Sequence, residues 1–193
     1  MDASVGLGGP SNGSATEAES SNATPAATPD ATAEVSAEHN DADTTFAQMM
    51  IIHHEGAIEM SELAIERAET PEVVALAERI AAAQGPEIEQ MTAWLTAWGE
   101  ETSPMDHGGM DMGGMDMNGM SQEEMMSELD GLAGTDFDAA FLDGMIAHHE
   151  GAVEMSEAEL TDGQNPEALA LAEKIIADQK AEIAEMGELL TGL

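Results

Sequence analysis

The chain has 193 residues, with forty acidic and four basic side chains and a formal net charge of −36. That balance argues against nucleic acid and anionic membrane surfaces as partners; it favours solubility and diffuse attraction of cations, and is often seen in proteins of salt-loving organisms. Cysteine is absent, which excludes disulfides, thiolate zinc sites and cysteine nucleophiles, whereas sixteen methionines supply thioethers, soft donors suited to Cu(I).

Residues 1–42 have low hydrophobicity, no periodicity and many Ser, Ala, Thr and Pro, and read as a disordered linker. Their composition is that of the stalk of an exported protein, and Asn12-Gly13-Ser14 and Asn22-Ala23-Thr24 match the glycosylation acceptor pattern. Residues 1–20 lack the basic start and apolar centre of a leader, and no run of eighteen apolar residues follows. From Phe46 the apolar residues fall at helical spacing through Met49, Met50, His53, Ala57, Met60, Leu63 and Ala64, so a first helix is expected to end near Glu69. Thr70-Pro71 supplies an N-cap and a proline at the first helical position, opening a second helix with Val73 or Val74, Ala77, Ile80 or Ala81, Ile88, Met91 and Leu95 on one face. Gly85-Pro86 within it predicts a kink or break. Ser121 and Glu124 form a capping box for a short helix. A further helix runs from Thr135 to about Leu160, Gly163 breaks the pattern, and Asn165-Pro166 opens the last helix, reaching about Leu190.

Met49 to Ser61 returns as Gly144 to Ser156, an offset of 95 residues that also relates Phe46 to Phe141, Pro71 to Pro166, Leu76 to Leu171, Gln84 to Gln179 and Met91 to Met186. Each copy is a helix hairpin with one apolar stripe per helix, and neither hairpin buries its stripes alone. The expected architecture is all-α: one domain at 43–193, a ferritin-like four-helix bundle with a pseudo-twofold axis. Repeat one covers 43–98, a Met/Gly/His-rich loop 99–120, and repeat two 135–193.

The repeat keeps two adjacent histidines flanked by methionines. Neighbouring helical residues point about 100° apart, so His53 and His54 face different directions. Methionine recurs four residues before the second histidine, at Met50 and Met145, and seven after the first, at Met60 and Met155; Met49 is matched by Gly144. If the axis brings the first and third helices together, His53 and His148 meet near it with Met60 and Met155 close by. That mixed imidazole and thioether site suits copper in either oxidation state. The candidate ligands are Met50, His53, His54, Met60, Met145, His148, His149 and Met155. Glu55, Glu59, Glu150 and Glu154 also recur, but Glu-x-x-His is absent, which disfavours a di-iron centre and makes these glutamates solvent-facing or hydrogen-bond partners of the histidines. Gly56 and Gly151 recur inside helices, where close helix contact explains them. In the connecting loop, Met105, His107, Met110, Met112, Met115, Met117 and Met120 alternate with Gly and Asp, and their thioethers are a second candidate set for Cu(I).

The pattern Met-Ile-x-His-His-x-x-Ala-x-x-Met, at Met50 to Met60 and Met145 to Met155, resembles the domain of unknown function 305 family over about residues 44–193. The resemblance implies a ferritin-like fold, a location outside the cytoplasmic membrane (periplasmic, cell-surface or secreted), and copper binding linked to copper tolerance. It carries the ligand role onto the eight motif residues named above. Ile52 and Ala147 stand where the family often has proline. The expected function is extracytoplasmic sequestration or transfer of Cu(I) and Cu(II), with a copper-delivering or copper-accepting protein as partner and no catalysis. The sequence has no Gly-rich phosphate loop, Gly-x-Ser-x-Gly or His-Glu-x-x-His. The rivals are a ferritin-like metal oxidase or reductase, and a structural interaction module in which histidines bond to glutamates and methionines pack.

Overall fold

The computed structural model describes residues 35–103 and 120–193, and these form five helices: α1 (Asp41–Arg67), α2 (Pro71–Trp98), α3 (Gln122–Asp130), α4 (Gly134–Asp162) and α5 (Pro166–Leu190). Each start has a local cause. Asn40 caps α1 by accepting from the backbone of Ala42 and Asp43, and the Asp43 carboxylate accepts in return from Asn40 N. Ser121 and Glu124 form the expected box on α3. Gly134 opens α4 at φ 64°, a left-handed conformation that favours glycine where the chain turns out of α3.

Of the expected kink or break at Gly85-Pro86, the break does not occur: helix α2 runs continuously through Pro86. Proline frees only the carbonyl four residues back, and both Pro86 and Ala82 are exposed, so water can take up the lost bond. The exposed position makes the proline tolerable.

The helices pair as two hairpins, α1 with α2 and α4 with α5, joined chiefly through α1 against α4. One core cluster mixes Ala57, Met60 and Ala64 of α1 with Phe137, Phe141 and Met145 of α4. The other mixes Phe46, Met50 and Ile51 of α1 with Ala152 of α4 and Leu171 and Ile175 of α5. The beginning of α1 therefore lies beside the later part of α4, and the two helices are antiparallel. This is the expected four-helix bundle built from a duplication, with α3 added against α4. No helix among the described residues is long and apolar enough to cross a membrane.

The two repeats are stapled reciprocally. Asp138, at the start of α4, accepts from the backbone of Glu69 and Thr70 in the α1–α2 turn, at 3.0 and 2.8 Å. Asp43, at the start of α1, accepts from Gln164 and Asn165 in the α4–α5 turn, at 3.0 and 2.8 Å. The Thr70 side chain, expected to cap α2, makes no capping bond; the Asp138 carboxylate binds the turn's backbone instead. Asn165 does cap α5, accepting from Glu167 and Ala168.

Residues 35–40, read from sequence as part of the linker, are packed on the bundle. Val35 lies against the second core cluster, Trp98 Nε1 donates to the Ser36 carbonyl at 2.8 Å, and the His39 ring stacks on Trp98 at 4.6 Å. Residues 1–34, with both glycosylation patterns, lie outside the described residues.

Candidate metal centre

The histidine pairs sit in the middle of α1 and α4, between the two core clusters. His53 and His148 meet across the helix interface with ring centroids 3.7 Å apart and planes tilted by 48°. This is the meeting that the repeat symmetry predicts. Gly56 lies beside the pair: a Cβ there would stand in ordinary contact with His148 Nε2, at 3.4 Å, and press on Gln122 Oε1, at 3.0 Å. All four imidazoles are buried, His53 and His148 at 3% and 4% exposure and His54 and His149 at 0%.

The second histidine of each pair turns away from the interface toward the other helix of its own hairpin. His54 Nε2 is 2.7 Å from Glu87 Oε2 on α2, and His149 Nε2 is 2.7 Å from Glu182 Oε2 on α5. Glu87 and Glu182 are again 95 residues apart. With Nε2 carrying the proton donated to a carboxylate, Nδ1 holds a lone pair, and in both His54 and His149 that atom is buried with no hydrogen-bond partner. His148 Nδ1 is buried and unpartnered too. A carboxylate that fixes one ring nitrogen and leaves the other as a bare donor is the usual support of a metal-bound histidine.

The electrostatics favour a neutral ring at His148. Burial, and then the neighbouring charges of His53, His149 and His54, hold His148 well below the ordinary histidine range. Burial alone pushes the Glu87 carboxyl up, but hydrogen bonds from His54 and Lys174 outweigh it and hold it below its usual value. Low basicity at His148 favours its neutral ring, the state in which histidine binds metal.

The motif methionines divide between the two ends. Met60 and Met145 are buried in the cluster on one side of the histidines; Met50 is buried in the cluster on the other, with Met155 packed against it. Met60 and Met155, both expected close to His53 and His148, therefore fall in different clusters. Antiparallel packing of α1 and α4 causes this, because it carries residues seven positions beyond matched histidines in opposite directions. Met120 is half-buried against the first cluster, while Met105, His107, Met110, Met112, Met115 and Met117 lie outside the described residues.

Among the described residues no three His, Asp or Glu side chains converge as a metal cluster. Any metal at the paired imidazoles would have to complete its ligand set with sulfur, water or an exogenous donor. A recess of about 260 Å³ opens beside the pair, lined by Ile52, His53, Glu55, Gly56, Glu59, Gln122 and His148. Gln122 spans it, its amide donating to the Gly56 carbonyl and to Glu59.

Residues 43–190 match the family model for the domain of unknown function DUF305. The chain belongs to the DUF305 family. Solved DUF305 structures bear this out: one from Streptomyces coelicolor shares 32% identity at a TM-score of 0.70, covering 78% of this chain and 93% of that one. A fragment from Deinococcus radiodurans shares 30% at a TM-score of 0.70, covering 80% of this chain and 98% of that one. CopM in its Cu(II)-bound form shares 34% identity at a TM-score of 0.65, covering 78% of this chain and 96% of that one. Among curated proteins none matches significantly.

Within this DUF305 chain, Glu87, Glu182 and Gln122 are the site residues that sequence reasoning missed. The signal for the glutamates was present, since the 95-residue offset keeps them as it keeps the histidines. The recurring Glu55, Glu59, Glu150 and Glu154 are all exposed, and of these Glu55 and Glu59 line the recess.

Proposed function

We propose that this chain is an extracytoplasmic copper-binding protein that sequesters Cu(I) and Cu(II) or hands them on. The observation that carries the reading is the set of buried Nδ1 atoms on His54, His148 and His149, two of them on rings oriented by carboxylates. Neutral imidazole takes copper in either oxidation state, and thioether favours Cu(I). Met50 and Met155 in one core cluster, and Met60 and Met145 in the other, are the sulfur donors of the two motifs. Met105, Met110, Met112, Met115, Met117 and Met120, with His107, supply a second set of soft ligands for capture and exchange.

The relatives support this reading. CopM has been solved with Cu(II), with Cu(I) and with silver, a soft ion that shares the thioether preference of Cu(I). The Streptomyces coelicolor relative is assigned as a secreted protein, which supports a place outside the cytoplasmic membrane. Such a role needs ligand exchange and no turnover.

The test is competition between the metal-free protein and a Cu(I) chelator, comparing wild type with His54→Phe/His149→Phe and with a form lacking residues 105–119. The reading expects tight binding in wild type, a loss of sites in the histidine variant, and partial retention without the loop. Equal, weak binding by all three would leave the histidines as structural core groups.

A further inference from the structure

The duplication makes the two carboxylate–histidine pairs alike, and a single cation makes them unequal. Glu87 and Glu182 each hold a buried imidazole nitrogen at 2.7 Å, His54 Nε2 and His149 Nε2 respectively. The second oxygen of Glu87 accepts from Lys174 Nζ at 2.8 Å, and the same ammonium reaches Asp178 at 2.8 Å. No lysine or arginine reaches Glu182. The chain has only four such side chains, and the other three are engaged elsewhere: Arg67 with Asp130, Arg79 with Glu185 and Lys180 with Glu157.

The asymmetry has a cause in the sequence. Lys174 matches Arg79 across the 95-residue offset, but the carboxylates around them differ. Asp178, one turn beyond Lys174, is matched by Ala83, so Arg79 has no carboxylate on its own helix at that spacing. Glu185, which pairs with Arg79, is matched by Gln90, so α2 offers Lys174 no carboxylate there. Arg79 therefore turns to Glu185, and Lys174 settles between Asp178 and Glu87.

A carboxylate that accepts an imidazole N–H raises the basicity of the other ring nitrogen and makes it a better metal donor. A cation on that carboxylate opposes the effect, because it competes for the same negative charge. The Glu87 side chain is only 11% exposed, so water screens this attraction less than at an open surface. We propose that Lys174, acting through Glu87, makes Nδ1 of His54 a weaker donor to Cu(I) than Nδ1 of His149. An ion is then taken first on the α4–α5 side and given up first from the α1–α2 side. The grading presupposes that these imidazoles bind copper. Removing such a carboxylate altogether costs about 10–100-fold in metal affinity, so its partial neutralisation is expected to separate the two rings by about three- to ten-fold.

The test uses the full, metal-free chain with isotope-labelled histidine, and Ag(I) as a diamagnetic stand-in for Cu(I). Before metal is added, the Nε2–H proton of His149 should resonate downfield of that of His54. Lys174→Met should narrow the gap, and Lys174→Arg should keep it, since a cation remains. On titration, Nδ1 of His149 should respond at lower Ag(I) than Nδ1 of His54, and Lys174→Met should bring the two together. Lys174 is 56% exposed, so its replacement leaves the core intact. Equal N–H shifts, or a gap that Lys174→Met leaves unchanged, overturn the proposal. So does Ag(I) reaching both rings together in the wild type. If neither ring responds to Ag(I) while the metal-free gap is present, the copper reading fails, and the grading of donors fails with it.

Discussion

Asp43 and Asp138 stand at matched positions of the duplication, and each fastens the interhelix turn of the other repeat. Each carboxylate accepts two backbone N–H groups that the turn would otherwise leave unsatisfied, and such charge-assisted bonds are stronger than neutral ones. The staples hold the two hairpins in register and so hold α1 against α4 at the level where His53 meets His148.

Replacing Asp138 by Ala removes the acceptor for Glu69 N and Thr70 N. A loss of about 1–3 kcal/mol is expected, measured by urea unfolding, with faster hydrogen exchange at those two amides. An unchanged midpoint would mean that water replaces the carboxylate at no cost.

Asp43 has a further neighbour that Asp138 lacks. Glu159 is 2% exposed, and the residue matching it in the first repeat is Ala64. Burial, and then the hydrogen bond with Asp43 and the charges of Asp43 and Asp162, push Glu159 up to about 8. Burial also pushes Asp43 up, but its bonds with Glu159 and with backbone amides outweigh this and hold it below the usual range. Glu159 therefore keeps its proton in the folded chain below about pH 8, where it can be shared with Asp43. Because its folded value is raised, its contribution to stability is complete below the unfolded value of 4.5 and is lost as pH rises through about 8. Glu159→Gln keeps a donor without the charge. It is expected to change stability little at about pH 4 and to stabilise by on the order of 2 kcal/mol above about pH 8. Parallel pH profiles for the two proteins would refute the shared proton.

If His54 is a metal ligand, Glu87 fixes its tautomer and orientation. Glu87→Gln should then weaken copper binding by about 10–100-fold in chelator competition, with helix content retained. Retained affinity would separate the Glu87 bond from metal binding and make it a purely structural contact.

The repeats differ at Met49 and Gly144, and the structure shows what occupies the difference. A Cβ at Gly144 would fall 2.8 Å from Met125 Sδ and 2.7 Å from Met125 Cε, so the side chain from α3 fills the space that a residue at 144 would take. Gly144→Met is expected to cost about 1–3 kcal/mol by overpacking. Adding Met125→Ala should recover part of that cost, a coupling that a double-mutant cycle on thermal unfolding would read directly. Strict additivity would show that α3 moves aside freely.

Much of this architecture was legible along the chain, for physical reasons. Ser121 and Glu124 sit three apart, and Asn165 directly precedes Pro166, so their caps close within one turn. The meeting of His53 and His148 followed from duplication, since a residue near a pseudo-twofold axis meets its own copy. The partner of His54 was harder to see. Neighbouring glutamates on its own helix drew attention, yet Glu55 and Glu59 project to the exposed side, and the bonded carboxylate comes from Glu87 on the adjacent helix. The same holds for Thr70, whose capping role passed to a residue 68 positions away.

Periodicity, local capping and the 95-residue repeat thus determined on their own that the chain is helical, where its helices start and which histidines share a level. Those signals act over one or two helical turns, or follow from copying. Only the tertiary structure decided which carboxylate orients each histidine, that antiparallel packing sends Met60 and Met155 to different clusters, and that Lys174 reaches Glu87 while its counterpart Arg79 turns to Glu185. Those outcomes depend on helix direction and on single side chains reaching between elements, and nothing in a helix's own sequence encodes them.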